Sequence, residues 1–144
     1  MNDAYTNVFY SIVKTTEEKY GYVLPEDLEA YIVMLLAYYT DRPNFAPDDS
    51  FAESYLRLEN TARINAKQLG DTCLFVTGMF PTYGTRKGLT RSYYSSIGIG
   101  SYERAAEALH SELFTQLATH FNLLSEFIEA ATHSTKGIQS NPLR

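Results

Sequence analysis

Tryptophan is absent from this chain of 144 residues, cysteine occurs once and histidine three times. The single Cys73 excludes a disulfide within the chain, and one thiol cannot assemble a cysteine-rich zinc site, so a reducing cytoplasm is the expected setting. Long apolar runs are missing as well. The longest, residues 30–39, falls far short of the ~20 residues that span a bilayer, and no membrane association is expected. The opening MNDAYTNVFYSIVKTTEE has neither a basic start nor a continuous apolar stretch after it, so it does not read as a signal peptide. No nucleophile beside a base, complete set of metal ligands or phosphate loop can be traced. The sequence therefore assigns no catalytic residue, metal or cofactor.

What is present is aromatic and unevenly charged. Hydrophobic residues make up 44% and charged ones 20%, a globular composition, and the length suits one domain with its own core. Twelve tyrosines and eight phenylalanines supply broad apolar faces, and every buried phenol needs a hydrogen-bond partner. The net charge of −5 hides an asymmetry: residues 1–60 carry −7, residues 61–104 carry +4, and the remainder −2. A basic segment inside an acidic chain serves either an anionic ligand or an attraction between regions of the fold or between subunits.

Tyr5, Val8, Phe9, Ile12 and Val13 repeat at amphipathic helical spacing and predict a first helix over residues 3–19. Pro25 followed by Glu26, Asp27 and Glu29 predicts a second helix start, with the acids complementing the helix dipole. This second helix is apolar almost all round. Leu28, Tyr31, Ile32, Leu35, Leu36 and Tyr39 form one face, and Val33, Met34, Ala37 and Tyr38 the other. Such a helix is either central in a bundle or half of a subunit interface, and a homodimer through residues 25–40 is expected. Asp49 or Ser50 caps a third helix carrying Phe51, Tyr55, Leu58, Ala62, Ala66 and Leu69, which ends either at Gly70 or at Pro81. The apolar CLFVTGMF within it also reads as a short strand, but no second strand pairs with it and helix is favoured. A short helix from Thr90 or Arg91 through Ile97 is expected to break at Gly98 and Gly100. Beyond it, Tyr102, Ala105, Ala106, Leu109, Leu113, Leu117 and Phe121 define a last long element, with Asn122 capping a separate helix as the alternative.

Six of the eight glycines fall between positions 70 and 100. Glycine serves positive φ or close approach and costs about 0.5–1 kcal/mol wherever it replaces alanine in a helix, so the cluster marks specified backbone. In the same region Tyr83, Arg86, Lys87, Arg91, Tyr93 and Tyr94 interleave bases with aromatics, the pattern of an anion or nucleotide site. Gly84 and Gly88 can expose backbone amides ahead of a helix start. The spacing matches neither a Walker loop nor a dinucleotide fingerprint, and nucleic acid is not the expected partner. Asp71 is the lone acid of residues 61–102, and either caps a helix restarting after Gly70 or pairs with Arg63, Lys67 or a distant arginine. Cys73 has no histidine or base beside it, and reads as a buried, inert thiol. Glu107 and His110 have the spacing of one di-metal helix pair, but a second pair is missing, and His110 reads as a border of a solvated face.

The order Leu69-Gly70-Asp71, Leu74-Phe75, Gly78, Phe80-Pro81, then Tyr93-Tyr94, Gly98 and Tyr102 resembles a group of small helical bacterial proteins with an LGD…LF…G.FP…YY…G…Y arrangement. The likeness covers residues 55–110. It implies a helical fold and a bacterial cytosolic origin, and no activity.

The sequence thus predicts one all-α domain over residues 1–132, a bundle of four or five main helices with a glycine-rich break around residues 81–100, and a flexible C-terminal tail over residues 133–144. The favoured function is a non-enzymatic intracellular interaction or regulatory protein with an unidentified protein partner. The alternative is a binding protein or enzyme for a small anionic ligand held at residues 83–94.

Overall fold

The computed structural model describes residues 3–40, 63–82, 88 and 90–139. Six helices and no strand occur among them: α1 (Asp3–Tyr20), α2 (Glu26–Thr40), α3 (Arg63–Met79), α4 (Arg91–Leu109), α5 (Glu112–Thr119) and α6 (Phe121–Gln139). The all-α bundle follows the apolar periodicities, and no described helix is long and apolar enough to cross a membrane.

Helices α1 and α2 form an antiparallel hairpin closed by Gly21, whose φ of +65° lies in the left-handed region, and by Tyr22 N–H donating to the Glu17 carbonyl at 3.1 Å. Pro25 then opens α2, with Glu29 N–H donating to its carbonyl at 2.8 Å. Leu28, Ile32 and Leu36 of α2 are fully buried, and the helix contacts α1, α3 and α5, so it is central in the bundle. Its second apolar face is divided: Val33 and Ala37 are buried, whereas Met34 and Tyr38 are each 44% exposed.

Helix α3 packs most extensively on α4 and also on α6. CLFVTGMF is helical here, burying Cys73, Leu74 and Val76, and the chain leaves the helix at Phe80, just before Pro81. Gly70 does not end α3. The expected stretch over 49–62 lies outside the described residues.

The largest departure from expectation is in α4. Thr90 caps it, its Oγ1 accepting Tyr93 N–H at 3.2 Å, and the helix then runs through Gly98 and Gly100 to Leu109. A Cβ built on Gly98 would lie 2.5 Å from the Phe121 ring and 2.9 Å from Cys73 Cβ. At Gly98, close approach of three helices explains the glycine, and the helical break expected there does not form. Gly70 and Gly78 work the same way: a Cβ would meet the Tyr102 ring at 2.6 Å and Ile128 Cγ2 at 2.6 Å, respectively. Packing therefore accounts for these three glycines, each serving close approach rather than positive φ.

Breaks occur instead at two histidines. His110 takes φ 51° and ψ 50° and donates its N–H to Ala106 O, ending α4, and Ser111 caps α5 by accepting Phe114 N–H at 3.3 Å. His120, at φ −104° and ψ 20°, separates α5 from α6. The expected last long element is thus divided among the end of α4, α5 and α6, and α6, starting at Phe121, is helical past His133 to Gln139, into the stretch expected to be a tail.

Candidate functional site

A concentrated buried polar cluster among the described residues centres on Asp71, in the middle of α3. Asp71 is 7% exposed. Its Oδ1 accepts two phenol hydrogens, from Tyr31 of α2 at 2.7 Å and from Tyr102 of α4 at 2.6 Å. Its Oδ2 accepts Lys67 Nζ, one turn earlier on α3, at 2.9 Å, and the same ammonium lies 5.7 Å from the centroid of the Tyr31 ring. Next to it, Tyr39 and Thr72 share a hydroxyl hydrogen bond of 3.1 Å.

The aromatic rings extend the cluster. Phe114 of α5 meets Tyr31 edge-on, with centroids 5.9 Å apart, and lies 5.9 Å from Tyr102, whose ring is 6.0 Å from Phe121 of α6. Five helices, α2 to α6, thus converge on one carboxylate and two tyrosine rings. Of the pairings foreseen for Asp71, Lys67 is the one observed. Tyr31 and Tyr102 were not foreseen, although a lone acid on an apolar helix and an excess of phenols seeking partners carried the signal jointly.

Electrostatics decide what this cluster can do. Burial raises Tyr31 and Tyr102 well above the ordinary phenol range, and the Asp71 charge adds to it. Burial also pushes Tyr39 up to about 12, against the lowering effect of its bond to Thr72. All three hydroxyls stay protonated, and those of Tyr31 and Tyr102 donate to Asp71. The cluster supplies no phenolate, and both Asp71 oxygens are already engaged, so it acts as a fixed polar tie between helices.

Cys73, one turn-fraction further along α3, is fully buried, and burial raises its thiol far above the usual range. We expect a maleimide to leave Cys73 unmodified in native protein and to label it fully in denaturant. Native labelling at the rate of an exposed cysteine would refute this burial.

The expected basic and tyrosine-rich site is described only in part. Tyr83, Arg86 and Lys87 lie outside the described residues. Arg91 is engaged with α6: one guanidinium nitrogen donates to Glu129 Oε1 at 2.9 Å and the other to Ser125 Oγ at 2.7 Å. Ser125 in turn donates to Thr77 Oγ1 at 3.0 Å, making a chain from α4 through α6 to α3. Tyr94 is buried in the core, and Tyr93 packs on it edge-on at 4.9 Å, itself only half-buried. Arg91 also edges a cleft of about 290 Å³ between α4 and α6, lined further by Ser92, Ser95, Ser96, Asn122 and Glu126. Glu126 gives that cleft a negative charge of its own. No group of three or more histidine, cysteine or carboxylate side chains able to hold a metal occurs among the described residues, and His110 is exposed at the end of α4.

Compared with family models, curated proteins and solved structures, the chain matches none.

Proposed function

We propose that this chain is a non-enzymatic interaction or regulatory protein that docks a partner through the outward stripe of α2, with a second copy of itself as the first occupant to test. The observation that supports this reading is the exposure of Ala30, Met34 and Tyr38 at successive helical turns on a helix otherwise central in the bundle. An apolar stripe at four-residue spacing is the form in which one helix presents itself to another. The single thiol and the resemblance to bacterial helical proteins make a bacterial cytoplasm the setting proposed with it.

Light scattering at high micromolar concentration is the test. The native chain is expected to be dimeric and Met34→Glu monomeric, with the helical content of the parent kept because Met34 is 44% exposed in the single chain. A monomeric parent at that concentration removes self-association. The alternative, a small anionic ligand at Tyr83, Arg86, Lys87, Arg91, Tyr93 and Tyr94, has less support. Two of its members are committed elsewhere, Arg91 to Glu129 and Ser125, and Tyr94 to the core.

A further inference from the structure

One buried hydroxyl of this bundle is unlike the others. Thr16, Thr77, Ser101 and Thr132 each donate to a carbonyl three or four residues earlier on their own helix, and Ser125 donates to Thr77. Ser95 is 7% exposed, yet no hydrogen bond reaches its hydroxyl among the described residues. Burying a hydroxyl without a partner is unfavourable. Glu29 Oε2 is the one side-chain polar atom among the described residues that is both sealed from solvent and without a hydrogen bond. Ser95 Oγ is therefore still reached from outside, and the surface that reaches it is the α4–α6 cleft, which Ser95 lines.

That cleft has two unlike ends. Arg91 bonds to Ser125 and Glu129, whereas Gly98 faces Phe121, so α4 and α6 run antiparallel here. Glu126 thus stands level with Arg91 and Ser92, and Asn122 level with Ser95, Ser96 and Ile99. The first end carries both signs of charge. Its cation is held in place, because α6 takes two N–H groups of the Arg91 guanidinium and leaves three of the five. The first turn of α4 adds the positive end of a helix dipole. Its anion, Glu126, is exposed and in no ion pair among the described residues. Glu126 and Glu129 together outweigh the one guanidinium, which disfavours a simple anion, and a simple cation would leave the remaining Arg91 donors unused. A molecule with both charges on one carbon satisfies each. The second end is uncharged and hydroxyl-rich, and the whole cleft, about 290 Å³, is close to the size at which small-molecule sites begin, about 300 Å³.

We propose that the α4–α6 cleft binds a free α-amino acid with a short, uncharged polar side chain. Its carboxylate lies on Arg91 and Ser92, its ammonium on Glu126, and its side-chain hydroxyl or amide on Ser95 and Asn122. The ligand completes the one buried hydroxyl that the bundle leaves unpaired, and it bridges the same two helices that Arg91 ties.

An amide NMR titration of the full chain with L-serine, L-threonine, L-asparagine and L-glutamine, each to about 10 mM, tests this. At least one is expected to shift the signals of residues 92–96 and 122–126 saturably, with a Kd below about 1 mM. Its methyl ester, which lacks the carboxylate, and its N-acetyl form, which lacks the ammonium, should each bind about tenfold more weakly or worse. Ser95→Ala and Glu126→Gln should each weaken binding by about fivefold or more, and Glu112→Gln, an exposed acid on α5, should not. No saturable shift with any of the four, or shifts confined to other residues, overturns the proposal. So does an N-acetyl form that binds as tightly as its parent, which would make the cleft a site for anions, or an affinity unchanged in both variants. The ester and N-acetyl comparisons use the unmodified chain, so they decide the matter even where a substitution disturbs folding.

Discussion

Asp71→Ala is expected to cost about 3–5 kcal/mol of unfolding free energy, a drop of about 10 °C in thermal midpoint. The substitution removes the acceptor of two tyrosine hydroxyls, at 2.7 and 2.6 Å. Tyr102 is fully buried, so its orphaned hydroxyl bears the whole desolvation penalty, while Tyr31, half-buried, recovers part of it from water. Lys67 contributes little to the total, because its side chain is 41% exposed and rehydrates. Tyr31→Phe should cost no more than about 1.5 kcal/mol, since Asp71 keeps two donors. Denaturant titration of both variants measures this. An Asp71→Ala cost within 1 kcal/mol of zero, on the order of the effect of one ordinary hydrogen bond, would show that the carboxylate is not the tie that holds α2, α3 and α4.

Gly98→Ala is expected to destabilise although alanine is the better helix former. The intrinsic preference favours alanine by about 1 kcal/mol. Against it, the new methyl would sit 2.5 Å from two carbons of the Phe121 ring and 2.9 Å from Cys73 Cβ, distances that only movement can relieve. Both neighbours are fully buried and have little room to yield. Overpacking of this kind costs about 1–3 kcal/mol before the propensity gain is subtracted, and Gly98→Leu, which adds three more carbons, should prevent native packing of α4 on α6. Phe121→Leu should relieve part of the clash, so that the cost of the double variant falls short of the sum of the two single ones by about 0.5 kcal/mol or more. Strict additivity, or a Gly98→Ala variant more stable than the parent, would mean that the helices separate more easily than these distances imply.

These two sites also show where sequence reading succeeds and fails. Helices α1 and α2 were legible because their apolar spacing, the Pro25 start and the acids of the first turn all lie within the segment they describe. The all-α class followed in the same way. The continuity of α4 was not legible, since a glycine in a helical pattern reads as a break when its reason, the Phe121 ring, lies on another helix. The true breaks at His110 and His120 carry no glycine or proline. Only Ser111, a good cap ahead of Glu112, hinted at the first. Asp71 was visible as an oddity, and its lysine partner lay one turn away in sequence. Its tyrosines did not, because they come from positions 40 residues before it and 31 after it.

The three close-approach glycines bind the future of this sequence to particular neighbours. Gly70 is a notch filled by Tyr102, Gly78 one filled by Ile128, and Gly98 one filled by Phe121. Each notch is useful only while its large partner occupies it, and each partner fits only while the notch is empty of side chain. A chain drifting away from this one must therefore change these positions in pairs, trading bulk across the helix crossing, or keep all six as they are.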